Sequence, residues 1–234
     1  MSTRRLPETD EEKIDVLQTM IAQEEINEEC DKILSIFELR DLQTLTVSFE
    51  SAYHVLKQAT SDRDKAKNLY DDLFKNAQLY ISHFIQVLLL TVIRNEIKAE
   101  NLILYGLDEN KPVLPDLSNE ETVLKWGENL MRGETERTCR GGIPLYNPAI
   151  AKVKVHYELF AESIRSLAVY EKNRLRLQNN IGEIRYKAND LIRKTWNKVE
   201  ERYAKTSLDE QALRFKDYKM QYYYRKGEQM SVFD

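Results

Sequence analysis

Glycine and proline are scarce, with seven and five in 234 residues. That leaves too few turn-formers for the many short connections of an all-β or α/β fold. Cysteine is scarcer still. Cys30 and Cys139 lie far apart, so no disulfide framework is implied and a reducing compartment is the simpler reading. The most apolar run, residues 84–93, contains Gln86 and closes on Arg94-Asn95-Glu96. It falls short of the roughly 20 apolar residues that cross a bilayer. The N-terminus turns acidic at Glu8-Thr9-Asp10, where a secretory signal would need an apolar stretch. The small negative net charge, −4, argues against a general nucleic-acid binder. Together these absences predict a soluble, cytoplasmic protein that does not span a membrane.

What the chain has in quantity is helical periodicity. Reading by threes and fours from Leu45 returns Leu45, Phe49, Ala52, Leu56, Ala59, Arg63, Ala66, Tyr70, Leu73, Ala77, Tyr80, Phe84 and Val87. Twelve of these thirteen positions suit a helix–helix seam, Arg63 is the exception, and no Pro or Gly interrupts them. A 3.5-residue period held this long specifies one long helix against a partner helix. At about 1.5 Å per residue it would run roughly 65 Å.

A second long rhythm starts after Asn147-Pro148, read as N-cap and first-turn proline, and runs from Ile150 through Phe160 and Ile181 to Val199. Ahead of both, Thr9 or Asp10 caps a first helix with the stripe Ile14, Leu17, Ile21, Ile26, Cys30, Ile33, Phe37. The slip between Ile21 and Ile26 reads as a stutter, and residues 39–44 read as the turn into the second helix. Between the long helices, Ser118-Asn-Glu-Glu121 is a capping-box signature for a short helix. Gly127 and Gly133 should weaken that helix by about 1 kcal/mol each relative to Ala. Ser207-Leu-Asp-Glu210 opens another short helix, and the Tyr-rich stretch after it reads as a strand or an extended tail.

The predicted fold is all-α: an elongated antiparallel helical bundle, a coiled coil of two very long helices, 44–97 and 148–205, with a shorter N-terminal helix. It forms one elongated helical domain over 1–234, with a head insert at 101–147 and a short helix plus Tyr-rich tail at 206–234. Symmetric pairing about the insert sets opposing residue numbers to sum to about 246, which places Arg63 near Glu183 as a polar seam pair. Residues 8–29 carry nine acids against one Lys, whereas 171–205 carry ten Lys or Arg against five acids. Opposite charge on neighbouring helices sets orientation, so the first helix should lie along the start of the second and beside the second half of the fourth.

The insert carries Tyr105-Gly-Leu-Asp108, Trp126-Gly-Glu128, Gly133-Glu134, Gly141-Gly-Ile-Pro144 and Tyr146-Asn-Pro148. Tyr80-Ile-Ser-His-Phe84 precedes it and Leu191-Ile-Arg-Lys-Thr-Trp196 follows. With these strings the chain, from about residue 40 to its end, resembles an uncharacterised family of bacterial long-helix bundle proteins. The resemblance implies no activity and brings no functional residues with it.

Candidate chemistry is thin. None of His54, His83 and His156 has a Glu three residues before it, so the Glu-x-x-His spacing of di-metal bundles is missing; no metal, no cofactor and no small-molecule substrate is inferred. Gly141-Gly142 beside Arg137 and Arg140 suggests an anion cradle, but no Lys-Ser/Thr follows and no strand precedes it. Tyr105, Trp126, Glu128, Tyr146 and Asn147 gather aromatic and polar groups in the irregular head, which is either a partner-binding surface or a cap on the bundle. The basic aromatic tail, Arg214, Lys216, Lys219, Tyr222, Tyr224 and Arg225, either grips nucleic acid or an anionic surface or lies packed on the acidic first helix. The acidic pairs Glu24-Glu25 and Glu28-Glu29 read as solvated. The leading expectation is a non-enzymatic interaction or scaffold bundle with a protein partner. Arg63 and the polar fourth-helix seam suggest a homodimer. The alternative is a nucleic-acid or anionic-surface binder acting through the tail.

Overall fold

The computed structural model describes residues 3–223, and within them the fold is an all-α helical bundle. Strand β1 (Thr3–Arg5) is followed by helices α1 (Asp10–Ile26) and α2 (Ile36–Ile93) and a 3-10 helix (Ala99–Tyr105). Then come α3 (Glu120–Cys139), α4 (Ile150–Tyr203), α5 (Leu208–Asp217) and strand β2 (Gln221–Tyr223). Contacts gather into two compact units. One joins Met1–Ala59 to Arg174–Asp234, the other is Thr60–Asn173, and α2 and α4 each contribute a stretch to both.

In the first unit the capping box is built by Thr9 and Glu12, each side chain bonding the other's backbone N–H. α1 then runs antiparallel to the start of α2, with Glu11 bonded to Tyr53, Gln18 to Glu50 at 2.6 Å and Glu25 to Gln43. It also lies beside the later part of α4, where Arg185 grips Asp10 in a bidentate pair at 2.6 and 2.7 Å. The apolar stripe of Ile14, Leu17 and Met20 closes one core with Leu42, Phe49, Ile192 and Trp196. β1 and β2 pair antiparallel, Arg4 opposite Tyr222, so the sequence's strand-or-tail alternative resolves as a short strand at 221–223.

The first turn lies elsewhere than the sequence suggests. α1 stops at Ile26, the chain turns over 27–35, and α2 begins at Ile36, not at 44. The Ile21–Ile26 slip marks the end of a helix, not a stutter within one: Ile26 is 77% and Phe37 80% exposed, so neither continues a core stripe. Ser35 and Glu38 make the start of α2, the Ser35 N–H and hydroxyl both donating to the Glu38 carboxylate. Leu42, fully buried, extends the seam one step before Leu45.

In the second unit α2 and α4 pack antiparallel, with Arg63 on Glu171, Phe74 on Phe160 and Tyr80 stacked on His156. Opposing numbers therefore sum to about 234–236 rather than 246. Arg63 pairs with Glu171 at 2.8 Å and with Asp64 at 3.0 Å, and Glu183 is an exposed residue of α4, not its partner. The pairing is not symmetric about the insert because the last turns of α2 run past the start of α4. They bury Phe84, Ile85 and Leu88 in one core with Leu102, Tyr105, Val123 and Leu130 of the insert.

The insert's helix starts one residue later than the motif suggests. Asn119 is the N-cap, with Thr122 as its reciprocal partner, while Ser118 bonds back to Asp116. Gly127 and Gly133 are contact points. A Cβ on Gly127 would lie 2.3 Å from the Tyr157 ring, and one on Gly133 would lie 2.6 Å from the Tyr105 ring and 2.9 Å from the Leu104 carbonyl oxygen. Their bare backbones let α3 sit directly on α4 and on the 3-10 helix. Pro148 precedes α4 instead of opening it; the Asn147–Pro148 bond is cis and the helix begins at Ile150.

By length and composition α2 also qualifies as a bilayer span. It holds an 18-residue window of mean hydropathy 1.4, of which 28% is buried.

Candidate functional site

Beneath the head lies one buried ion pair on α3, which Tyr105 joins. Glu134 and Arg137, one helical turn apart, are 1% and 5% exposed. The guanidinium reaches both carboxylate oxygens, at 2.9 and 3.0 Å. Two charges removed from water need such pairing and further hydrogen bonds to offset desolvation, and the site supplies them. The Tyr105 hydroxyl donates to Glu134 and accepts from Arg137 Nε at 2.7 Å. Burial, followed by the hydrogen bond to Glu134, pushes the Tyr105 phenol well above its ordinary range. Burial opposes the Arg137 charge, but its bonds to Tyr105 and Glu134 outweigh that and raise its pKa.

Two bonds leave this cluster for the loop that follows α3. Arg137 donates to the Ile143 carbonyl at 2.8 Å, and the Leu145 N–H donates to Glu134 Oε1 at 2.9 Å. The Gly142 N–H returns to the Arg137 carbonyl at 3.1 Å. Loop 141–147 is thus anchored through its backbone while its large side chains face outward: Ile143 is 85% and Tyr146 92% exposed. Leu145 between them turns inward and joins the core.

The predicted head residues divide accordingly. Tyr105 is wholly buried and has no part in a surface. Trp126 is half-buried against the core, and exposed Glu128 accepts from Tyr157 at 3.0 Å. Burial and that bond push the Tyr157 phenol up to about 12. Tyr146 and Asn147 are exposed too, and among the described residues no side-chain bond engages them. The anion cradle does not form: Arg137 points inward to Glu134, Arg140 pairs with Glu136, and the Gly142 N–H is already bonded.

The tail residues are engaged within the chain. Lys219 pairs with Asp15 on α1, Arg214 reaches Asp217 and lies over the Tyr203 ring, and the Tyr222 hydroxyl donates to Glu200 at 2.8 Å. Lys216 is exposed. Tyr224 and Arg225 lie outside the described residues.

One buried acid escaped the sequence reading. Glu24 is fully buried, not solvated, and accepts from the Leu34 N–H at 3.0 Å, the Ile33 N–H at 3.1 Å and the Tyr218 hydroxyl at 2.6 Å. Tyr218 also accepts from Asn27 at its hydroxyl and from Trp196 at its carbonyl. The signal was present: Glu24 continues the stripe Leu17, Met20 by one more turn.

The hydrogen bonds of both clusters end on other groups of the same chain. Among the described residues, no group of three or more His, Cys, Asp or Glu is placed to hold a metal ion. Comparison with family models, with curated proteins and with solved structures finds no match to this chain.

Proposed function

We propose that this chain is a non-enzymatic, cytoplasmic protein–protein interaction bundle that presents the head loop 141–147 to a protein partner. The observation that carries the reading is the backbone anchoring of that loop by the buried Glu134–Arg137 pair, with Ile143 and Tyr146 left outside. A solvent-facing Ile and Tyr on a loop already held in place lose little conformational entropy on binding, and aromatic anchors of this kind dominate interface energies. An aqueous location is supported by the polar His83 and Gln86, which stand exposed near the end of α2. The tail alternative gains no support, because Lys219, Arg214 and Tyr222 are bonded to acids of the same chain.

The test is affinity capture from native lysate with the wild-type chain and with Ile143→Ser/Tyr146→Ser. The reading expects at least one stoichiometric partner that the double variant fails to retain. Identical captured sets from the two proteins would contradict it.

A further inference from the structure

On the second unit, α2 and α4 leave a groove of about 420 Å³ lined by Ala66, Leu69 and Leu73 on one wall and by Leu159, Ser163 and Tyr170 on the other. Asp62, Ala66, Leu69 and Leu73 step by four, three and four along α2. Leu159, Ser163, Ser166 and Tyr170 step the same way along α4. Each wall therefore repeats the seam rhythm that packs one helix on another, with Ser163 buried at its floor and Leu69, Leu159 and Tyr170 at its solvent-facing rim. Leu69 is 58%, Leu159 48% and Tyr170 43% exposed.

We propose that this groove is covered by a second copy of the same chain, the two copies meeting antiparallel about a two-fold axis near Leu69, so that Lys65 of each faces Asp72 of the other. The charges on α2 single out this occupant. Lys65 stands four residues before Leu69 and Asp72 three after it, on the same helical stripe; both are exposed, and Lys65 makes only a long, solvent-exposed 3.7 Å pair with Asp62 of its own helix. A two-fold axis between positions 68 and 69 sets Leu69 beside the second copy's Leu69, Lys65 opposite Asp72 and Asp72 opposite Lys65. An isologous interface has to be self-complementary in this way. A foreign helix of one charge sign would match one of these two residues and repel the other. On α4 the small Ser163 and Ser166 line the groove, and the Ser163 hydroxyl is already bonded to the Phe160 carbonyl at 2.6 Å, so two α4 backbones can approach without stranding a polar group.

The dimer does not draw on Arg63, which its own chain already pairs with Glu171 and Asp64. Nor does it depend on the head loop, so the two proposals fail separately.

Sedimentation velocity of the full chain over a concentration series tests it. The wild type is expected to pass from monomer to dimer, and Leu69→Glu to remain monomeric with unchanged far-UV circular dichroism. Lys65→Asp alone and Asp72→Lys alone each set two like-charge contacts against each other and raise the dimer Kd by about tenfold or more. Mixing the two single variants restores both opposite pairs, so the mixture should form a heterodimer that neither makes alone. A wild type that stays monomeric throughout overturns the proposal, as does a dimer unmoved by Leu69→Glu or a mixture that associates no better than its components. Crosslinking of Leu69→Cys to itself in a Cys30→Ser/Cys139→Ser background is the expected companion result, and its failure in a sample shown to be dimeric overturns the two-fold placement.

Discussion

The Tyr218 hydroxyl donates to Glu24 at 2.6 Å, joining residues 194 positions apart in a wholly buried contact. The same carboxylate bonds the Ile33 and Leu34 N–H groups that follow α1. A single acid therefore ties the α1–α2 turn to the C-terminal segment. Burial, with the hydrogen bond to Glu24 next, pushes the Tyr218 phenol far above its ordinary range.

Tyr218→Phe keeps the ring and removes one donor from a buried carboxylate. The expected cost is about 1–3 kcal/mol, since the unsatisfied partner bears the full desolvation penalty. Glu24→Ala should cost more, because it strands the two amides and the phenol together. Urea unfolding reads both, and a Tyr218→Phe variant as stable as wild type would show that the contact contributes nothing.

Breaking the head's ion pair from one side should be severe. Arg137→Met leaves Glu134 buried without its counter-charge, and about 3–5 kcal/mol is expected for such a loss. The double variant Glu134→Leu/Arg137→Met should be more stable than Arg137→Met alone, because no charge is then left unpaired. A double-mutant cycle by denaturant titration measures the coupling; strictly additive losses would mean that the two side chains do not act as a pair.

Gly127→Ala and Gly133→Ala sharply separate helix propensity from packing. On propensity alone each substitution gains about 1 kcal/mol. In the fold each new methyl meets an aromatic ring within 2.3 to 2.6 Å, so net destabilisation is expected, by roughly 1–3 kcal/mol as for other overpacked sites. Thermal melts decide between the two, and a raised Tm in either variant would contradict the close approach.

Glu38 supplies a pH dependence. Its hydrogen bond from Lys198, with those from the Ser35 backbone and hydroxyl, lowers its pKa from 4.5 to about 2. A depressed carboxylate pKa contributes stability that is present above the unfolded value and is lost as pH falls through the folded one. The loss should therefore fall between pH 4.5 and about 2, and solvent screening of this half-exposed pair keeps it small. Tm measured across that window should drop less steeply in Glu38→Gln than in wild type; parallel curves would dismiss the effect.

The long helices were legible because their signal is repeated: Phe49, Ala59, Ala77 and Phe84 all occupy the core that the 3.5-residue period assigns them. The turns were not, because a turn is marked once. Ser35-x-x-Glu38 is as good a start signal as Thr9-x-x-Glu12, yet Ile33 and Phe37 prolong the apolar rhythm across it and hide it. The register was missed for a different reason. It depends on how far the end of α2 runs beyond α4 into the insert, and residues such as Leu102 and Leu130 state that only through the fold. Periodicity is equally silent on which acids are buried. Glu24 and Glu134 look like their solvated neighbours until the donors that reach them, from residues 9 to 194 positions away in the case of Glu24, are known. The exposed members of the candidate head, Glu128, Tyr146 and Asn147, were named by composition; the anchor beneath the loop was not.

The most direct test of the account is amide hydrogen exchange at Leu145, whose N–H ends on buried Glu134 and holds the head loop in place. In the wild type this amide should exchange far more slowly than an exposed loop amide. In Glu134→Gln its protection should drop while the interior amides of α3 stay protected. A Leu145 amide that exchanges at the free-loop rate in the wild type would contradict the anchored head.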